Sequence, residues 1–249
     1  MQYHIWTLGC QMNVADSQRL ASELEELGHH AADSPDEADI LVINTCVVRQ
    51  SAEDKAYGRL RELAQVKQAH PDKVIGLMGC LVGVRDPLRL REKLPQVDVF
   101  LPPSDPAPMV DFLRDRALET TLRGEDATAR AARDELLDTL DEGTLILPAQ
   151  ERHQLVSAHV PVVYGCSHAC AFCIIPYRRG VEQSRPVGEI VAHVRSLARQ
   201  GVKEVTLLGQ IVDRYGKDVP DGPNLAPLLR IVHQVAEQEG VERISFLTS

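Results

Sequence analysis

The chain has 249 residues, enough for two domains or one large α/β domain with a real core, and its 44% hydrophobic and 25% charged residues are ordinary for a globular protein. No apolar run approaches the ~20 residues that cross a bilayer, and Met1–Leu8 lacks the basic start and apolar stretch of a secretory signal, so no membrane association and a cytoplasmic location are expected. The formal net charge of -9 argues against nonspecific nucleic-acid binding by the whole chain, but ten acids and five arginines between Asp111 and Glu142 concentrate -5 of it, so a local basic site for RNA is left open elsewhere.

Apolar periodicity predicts alternating strands and helices through the first hundred residues. Tyr3–Leu8 reads as a buried strand and Asp16–Leu27 as an amphipathic helix ended by Gly28. Asp39–Asn44 is a second strand, Ser51–Gln68 a long helix stopped before Pro71, and Lys73–Met78 a third strand. A short helix at Arg89–Lys93, a fourth strand at Val97–Leu101 and a helix over Pro108–Leu118 complete a first domain spanning 1–118. Strands separated by helices imply an open parallel sheet of Rossmann-like α/β type. Residues 119–150 read as a charged connector, part of it a solvated helix.

A second series occupies 151–249. Val160–Tyr164 is predicted as a strand feeding a cysteine-rich loop, followed by a helix at Val187–Gln200, a strand at Glu204–Leu208, a helix at Leu225–Glu239 and a strand at Arg243–Leu247. These repeats suggest the first part of a TIM-like β/α barrel, with three strands present where a closed one needs six to eight, so the chain is expected to be truncated.

Cys166, Cys170 and Cys173 form a C-x3-C-x2-C run. Three thiolates this close can hold three irons of one [4Fe–4S] cluster. Electron carriers use four cysteines per cluster. A cluster with three ligands keeps one iron open for a small molecule, which points to chemistry rather than electron storage. Structural zinc would want a fourth regularly spaced ligand, and His168 is badly placed for that. Without a signal peptide, disulfides are the weaker reading of the six cysteines.

Cys10, Cys46 and Cys80 are distant in sequence but alike in position, each just past a predicted strand. The C-terminal ends of parallel strands share one edge, where ligands bind. Three cysteines there can converge on one point, with Gly9 and Gly79 letting the backbone approach a bulky ligand. Buried free cysteines filling a core are the alternative.

With both trios in view, the chain resembles the radical-SAM methylthiotransferases. Matching pieces are Thr-Leu-Gly-Cys-Gln-Met-Asn (7–13), Cys-Ile-Ile-Pro-Tyr-Arg-Arg-Gly (173–180), Ser-Arg-Pro (184–186) and Val-Thr-Leu-Leu-Gly-Gln (205–210). The resemblance implies two [4Fe–4S] clusters: an auxiliary one on Cys10, Cys46 and Cys80, and one on Cys166, Cys170 and Cys173 that binds S-adenosyl-L-methionine. Gly-Cys-Gln-Met-Asn looks like the MiaB-type branch, which adds a methylthio group to isopentenyl-adenosine beside the tRNA anticodon. Sister branches act on threonylcarbamoyl-adenosine of tRNA or on a ribosomal protein, and a metal-stabilised binding module holding zinc is the non-enzymatic alternative. The implied partners are a tRNA substrate and an electron donor of flavodoxin or ferredoxin type. Two departures stand out. Ile211 replaces the usual Asn, and the later barrel strands and C-terminal TRAM domain are absent, so this polypeptide alone is expected to be inactive.

Among other residues, Gln210 and Arg179 are the candidates for contacting SAM or substrate. Arg178, Arg179 and Arg185 form a compact basic group suited to tRNA phosphate, to the SAM carboxylate, or to surface salt bridges. Phe172 and Tyr177 would shield the cluster or pack. Asn13 and Asn44 would hydrogen-bond cluster sulfurs, with helix capping the other task for Asn13.

Overall fold

Parallel pairing of short apolar strands organises the amino-terminal part of the chain. The computed structural model describes residues 1–85, 87–123, 145 and 147–248. Strands β1 (Gln2–Leu8), β2 (His30–Ala31), β3 (Ile40–Thr45), β4 (Val74–Gly79) and β5 (Val99–Leu101) form one sheet in the order β2-β1-β3-β4-β5, parallel at every pairing. β3 and β4 are buried along their whole length, as expected of inner strands covered on both faces.

Alternation along β3 divides the cover. Ile40 and Val42 pack with Leu20, Leu24, Met109 and Leu113 from helices α1 (Gln11–Glu26) and α4 (Ala107–Arg123). Leu41 and Ile43 pack with Ala56, Leu60 and Leu63 of α2 (Gln50–Ala69) on the opposite face. Leu20 and Leu24 are completely buried, and each contributes about 2 kcal/mol of hydrophobic stabilisation. The short helix α3 (Leu88–Lys93) follows β4.

Helix α1 begins at Gln11, five residues before the expected start at Asp16. Asn13, at the third helical position, accepts the Cys10 backbone N–H at 3.3 Å, so the turn is nucleated by a polar group that apolar periodicity ignores.

The second series builds a three-stranded parallel sheet, β10 (Arg243–Phe246), β9 (Glu204–Leu208) and β6 (Ser157–Pro161). The single strand expected over Val160–Tyr164 is in fact split. Val162 donates its N–H to Leu208 O, and Val163–Tyr164 (β7) then leaves to pair antiparallel with Gln183–Ser184 (β8). Between them lies the short helix α5 (Ile175–Arg179). Helices α6 (Val187–Arg199) and α7 (Leu225–Glu239) cover the sheet through Ile190, Val194, Leu197, Leu228 and Val232.

α4 runs on to Arg123, and Leu145 and Leu147 are buried in the second core, with Ser196 Oγ and Gln200 Nε2 donating to Leu145 O at 2.6 and 2.9 Å. Two leucines in a mainly acidic stretch are too few to give a period, so their anchoring was not legible. Most of the charge run lies outside the described residues. Among those described, no helix is long and apolar enough to cross a membrane.

Candidate functional site

Strand register brings the first cysteine trio to one edge. Leu8 of β1 pairs with Thr45 of β3, and Thr45 pairs with Gly79 of β4, so three strands end side by side. Cys10, Cys46 and Cys80 follow immediately. The strand order places β1 and β3, whose connections run to opposite sides, next to each other, and ligands settle in the crevice at such a switch point.

A buried amide network fixes this edge. Asn13 Nδ2 donates to Asn44 Oδ1 at 2.7 Å and to Thr45 O at 2.9 Å, while Asn44 Nδ2 donates to Asn13 O at 2.8 Å and Ser17 Oγ at 3.0 Å. Thr45 Oγ1 donates to Met78 O and accepts from Leu81 N–H, and Cys80 N–H donates to Thr45 O. Asn13 Oδ1 also accepts from the Cys10 thiol at 3.4 Å. Asn13 thus touches the Cys10 thiol and caps the helix as well. Asn44 instead serves the backbone and Ser17.

Gly9 and Gly79 were expected to admit a ligand, but they make room for this network. A Cβ on Gly9 would run into the Asn13 side chain. Gly79 has φ +96°, and a Cβ there would sit 2.6 Å from both Asn44 Oδ1 and Thr45 O. Gly79→Ala is therefore expected to destabilise the fold by about 2 kcal/mol, measurable by denaturant unfolding.

Cys46 and Cys80 are buried, Cys10 is exposed, and all three thiols are free. Burial pushes the Cys80 thiol pKa up. Arg179 pulls it back down, and the neighbouring Cys46 and Cys10 push it up again.

The second trio lies on the loop between β7 and α5. Cys166 N–H donates to Gly180 O and Cys173 N–H to Cys170 O, both near 3 Å, and Glu182 N–H donates to Ser167 Oγ. Cys166 is buried, Cys170 exposed and Cys173 half-buried, again as free thiols. Phe172 is 95% exposed and Tyr177 65%, so neither packs in the core. His168 is exposed too. Among the described residues no three His, Cys, Asp or Glu side chains close round a single ion.

Gln210 lies just beyond the end of β9, where Gly209 sits against Val163 of β7, so it borders the strand that opens the cysteine loop. Two of the three arginines form ion pairs, the alternative to ligand contact. Arg185 is buried, its Nη1 donating to Pro161 O at 2.8 Å and facing His193 Nδ1 at 3.3 Å, and its Nε pairing with Glu189 at 3.4 Å, so it ties β6 to α6. Arg178 Nη1 reaches Leu81 O at 3.5 Å. Arg179 is also buried, and it pairs with Asp16 of α1 at 3.2 Å. These three are not an open basic patch.

Helix α1 joins both series. Besides Asp16, it offers Gln18 to Glu151 at 2.7 Å, Arg19 to Tyr164 OH at 3.4 Å and Glu25 to Arg152 at 2.7 Å. Sequence reasoning missed Asp16 and Ser104. The signal for Asp16 was present, since it shares an i, i+4 stripe with Met12, Leu20 and Leu24, an acid in a row of otherwise apolar side chains.

Residues 2–102 match the model of the Uncharacterized protein family UPF0004, and residues 160–249 match the Radical SAM superfamily. Proteins named tRNA-2-methylthio-N(6)-dimethylallyladenosine synthase are similar over the whole chain: 42% identity in Roseiflexus sp. (strain RS-1), 43% in Chloroflexus aurantiacus and 41% in Thermotoga petrophila. The alignments cover 100% of this chain but 47%, 48% and 52% of those proteins, so the chain spans about half the length of the curated relatives it matches. Among solved structures, the radical S-adenosylmethionine methyltransferase TsrM from Kitasatospora setae superposes with a TM-score of 0.55 at 10% identity, over 95% of this chain and 53% of that one. That likeness concerns the fold alone.

Proposed function

We propose that this chain, which belongs to the MiaB-like radical-SAM methylthiotransferase family, serves the addition of a methylthio group to isopentenyl-adenosine beside the tRNA anticodon. In this reading Cys166, Cys170 and Cys173 hold one [4Fe–4S] cluster, and Cys10, Cys46 and Cys80 hold a second. The observation that carries it is the side-by-side ending of β1, β3 and β4, which delivers three distant cysteines to one edge.

With SAM, the clusters would supply the one-electron chemistry that activates an adenine C–H bond and the sulfur and methyl group installed there. The chain's own residues position and shield. Asn13 holds the turn bearing Cys10 and the strand end before Cys46, Thr45 holds the turn bearing Cys80, and the pairing of β7 with β8 frames the second loop. In this reading Gln210, just past the end of β9, meets SAM or the substrate base. A one-electron donor of flavodoxin or ferredoxin type, in the cytoplasm, completes the reading.

Anaerobic reconstitution tests it. Replacing Cys10, Cys46 and Cys80 together by Ala should halve the iron and sulfide bound per chain, and so should the same change at Cys166, Cys170 and Cys173. A colourless protein carrying zinc, or iron content indifferent to the first triple change, would refute the two-cluster assignment. With the full-length protein, product formed on isopentenyl-adenosine tRNA and none on a ribosomal protein would secure the substrate.

A further inference from the structure

Positive charge collects on the stretches that carry the cysteines. Residues 46–50, 80–93 and 166–181 hold seven Arg or Lys and two acids, a balance of +5 in a chain whose total is -9. Of the seven, Arg179 is held by Asp16 and Arg91 lies over the Phe100 ring. Arg49, Arg85 and Arg89 are exposed and pair with no acid among the described residues. Glu53 and Asp54 of α2 are the next acids after Arg49, and Gln50 donates to Asp54 at 3.0 Å.

The fold draws these stretches together. Leu81 and Val82, with Val47 and Leu90 against them, share one apolar cluster with Ala56 and Leu60 of α2. The loops after Cys46 and Cys80 and helix α3 are therefore neighbours. From the second series, Arg178 Nη1 of α5 reaches Leu81 O at 3.5 Å, and a Cβ on Gly180 would meet Val84 at 3.5 Å. Val48, Val84, Leu88 and Tyr177 stand exposed among the unpaired cations. Guanidinium groups interleaved with exposed apolar and aromatic side chains suit an unpaired RNA loop, the cations holding phosphates and a ring taking an unstacked base.

We propose that this rim is an RNA-binding surface, with Arg49, Arg85 and Arg89 on the phosphates of an unpaired loop and Tyr177 against one of its bases. The proposal rests on the tRNA reading above and names the groups that deliver such a substrate to the cysteine edge. It also accounts for how an acidic chain meets a polyanion, since the attraction is local. An acidic electron-carrier protein is the competing occupant. RNA fits better because the atom to be modified must itself reach the cysteines, whereas an electron can cross a gap from another face.

Fluorescence anisotropy of a labelled anticodon stem-loop RNA, titrated with this chain over a range of salt, tests the rim without clusters or turnover. The logarithm of affinity should fall linearly with that of salt, by about 0.7 for each phosphate neutralised on a single strand, hence by about 2 in all. Arg49→Gln combined with Arg85→Gln should remove about 1.4 of that slope. Both side chains are exposed, so the fold should be unaffected. Tyr177→Ala should weaken binding roughly 10-fold and keep the slope, because a stacked ring carries no charge. Arg230→Gln, at an exposed arginine of α7, is the control for general charge and should change neither quantity. A slope untouched by the double change, or reduced as much by Arg230→Gln, would overturn the proposal. So would a folded chain that binds no RNA, or a double variant that loses a flavodoxin and keeps the RNA. The activity stands or falls separately: a full-length protein that binds this RNA through the rim but makes no methylthio product keeps the surface and loses the reaction.

Discussion

Replacing Asp16 with Leu is expected to cost the chain about 3–5 kcal/mol of stability, the largest loss from any single substitution considered. The pair it forms with Arg179 has side chains only 2% and 3% exposed. Leu would strand the guanidinium in a poorly solvated interior and also take the acceptor of the Ser104 hydroxyl. Asp16→Asn, which keeps two polar atoms in place, should cost less. Urea unfolding measures both, with the m-value unchanged if only the folded state is affected. Glu62→Ala supplies the contrast. Its pair with Arg59 is 63% and 41% exposed, and its loss should move stability by no more than about 0.5 kcal/mol. A Leu variant as stable as the parent would show that the two series do not depend on this bridge.

Acid should weaken the fold through His193. The imidazole is buried, and its Nε2 has no partner among the described residues. Burial, and then the charges of Arg185 and Arg19, drive its pKa from the ordinary 6.5 down to about 3. Asp16, Glu23 and Tyr164 line the same small cleft. The sign follows from proton counting. Between pH 6.5 and about 3 the unfolded chain binds a proton that the folded chain refuses, so stability falls as pH falls. The slope from this one group is about 1.4 kcal/mol per pH unit, or roughly 2 kcal/mol lost by about pH 5. His193→Leu should flatten that part of the profile, since Arg185 keeps its bond to Pro161 O. An acid limb identical in parent and variant would assign the effect to other groups.

Periodicity read the long elements well because packing and pattern agree there. Helix α7 and strand β9 begin and end where the apolar repeat does, and Gly240, at φ +76°, closes the helix. The short pieces escaped. β2, β7 and β8 have two residues each, too few to alternate, and their pairing is set by partners distant in sequence. The three strand-end cysteines were legible as a group because parallel register is a consequence of topology. The arginines were not. Nothing local separates a guanidinium that meets phosphate from one that meets a buried carboxylate on another domain, and Arg179 and Asp16 stand 163 residues apart. Only the fold reveals that pairing.

Helix α1 carries ten buried residues in sixteen, and its polar side chains reach across to Glu151, Arg152, Tyr164 and Arg179. A rod committed on nearly every side has little freedom to drift. A change at Gln18 or Glu25 must be answered by a matching change far along the polypeptide, so the two portions of this protein cannot diverge independently, and grafting either onto a foreign relative would require bringing the helix's correspondents along.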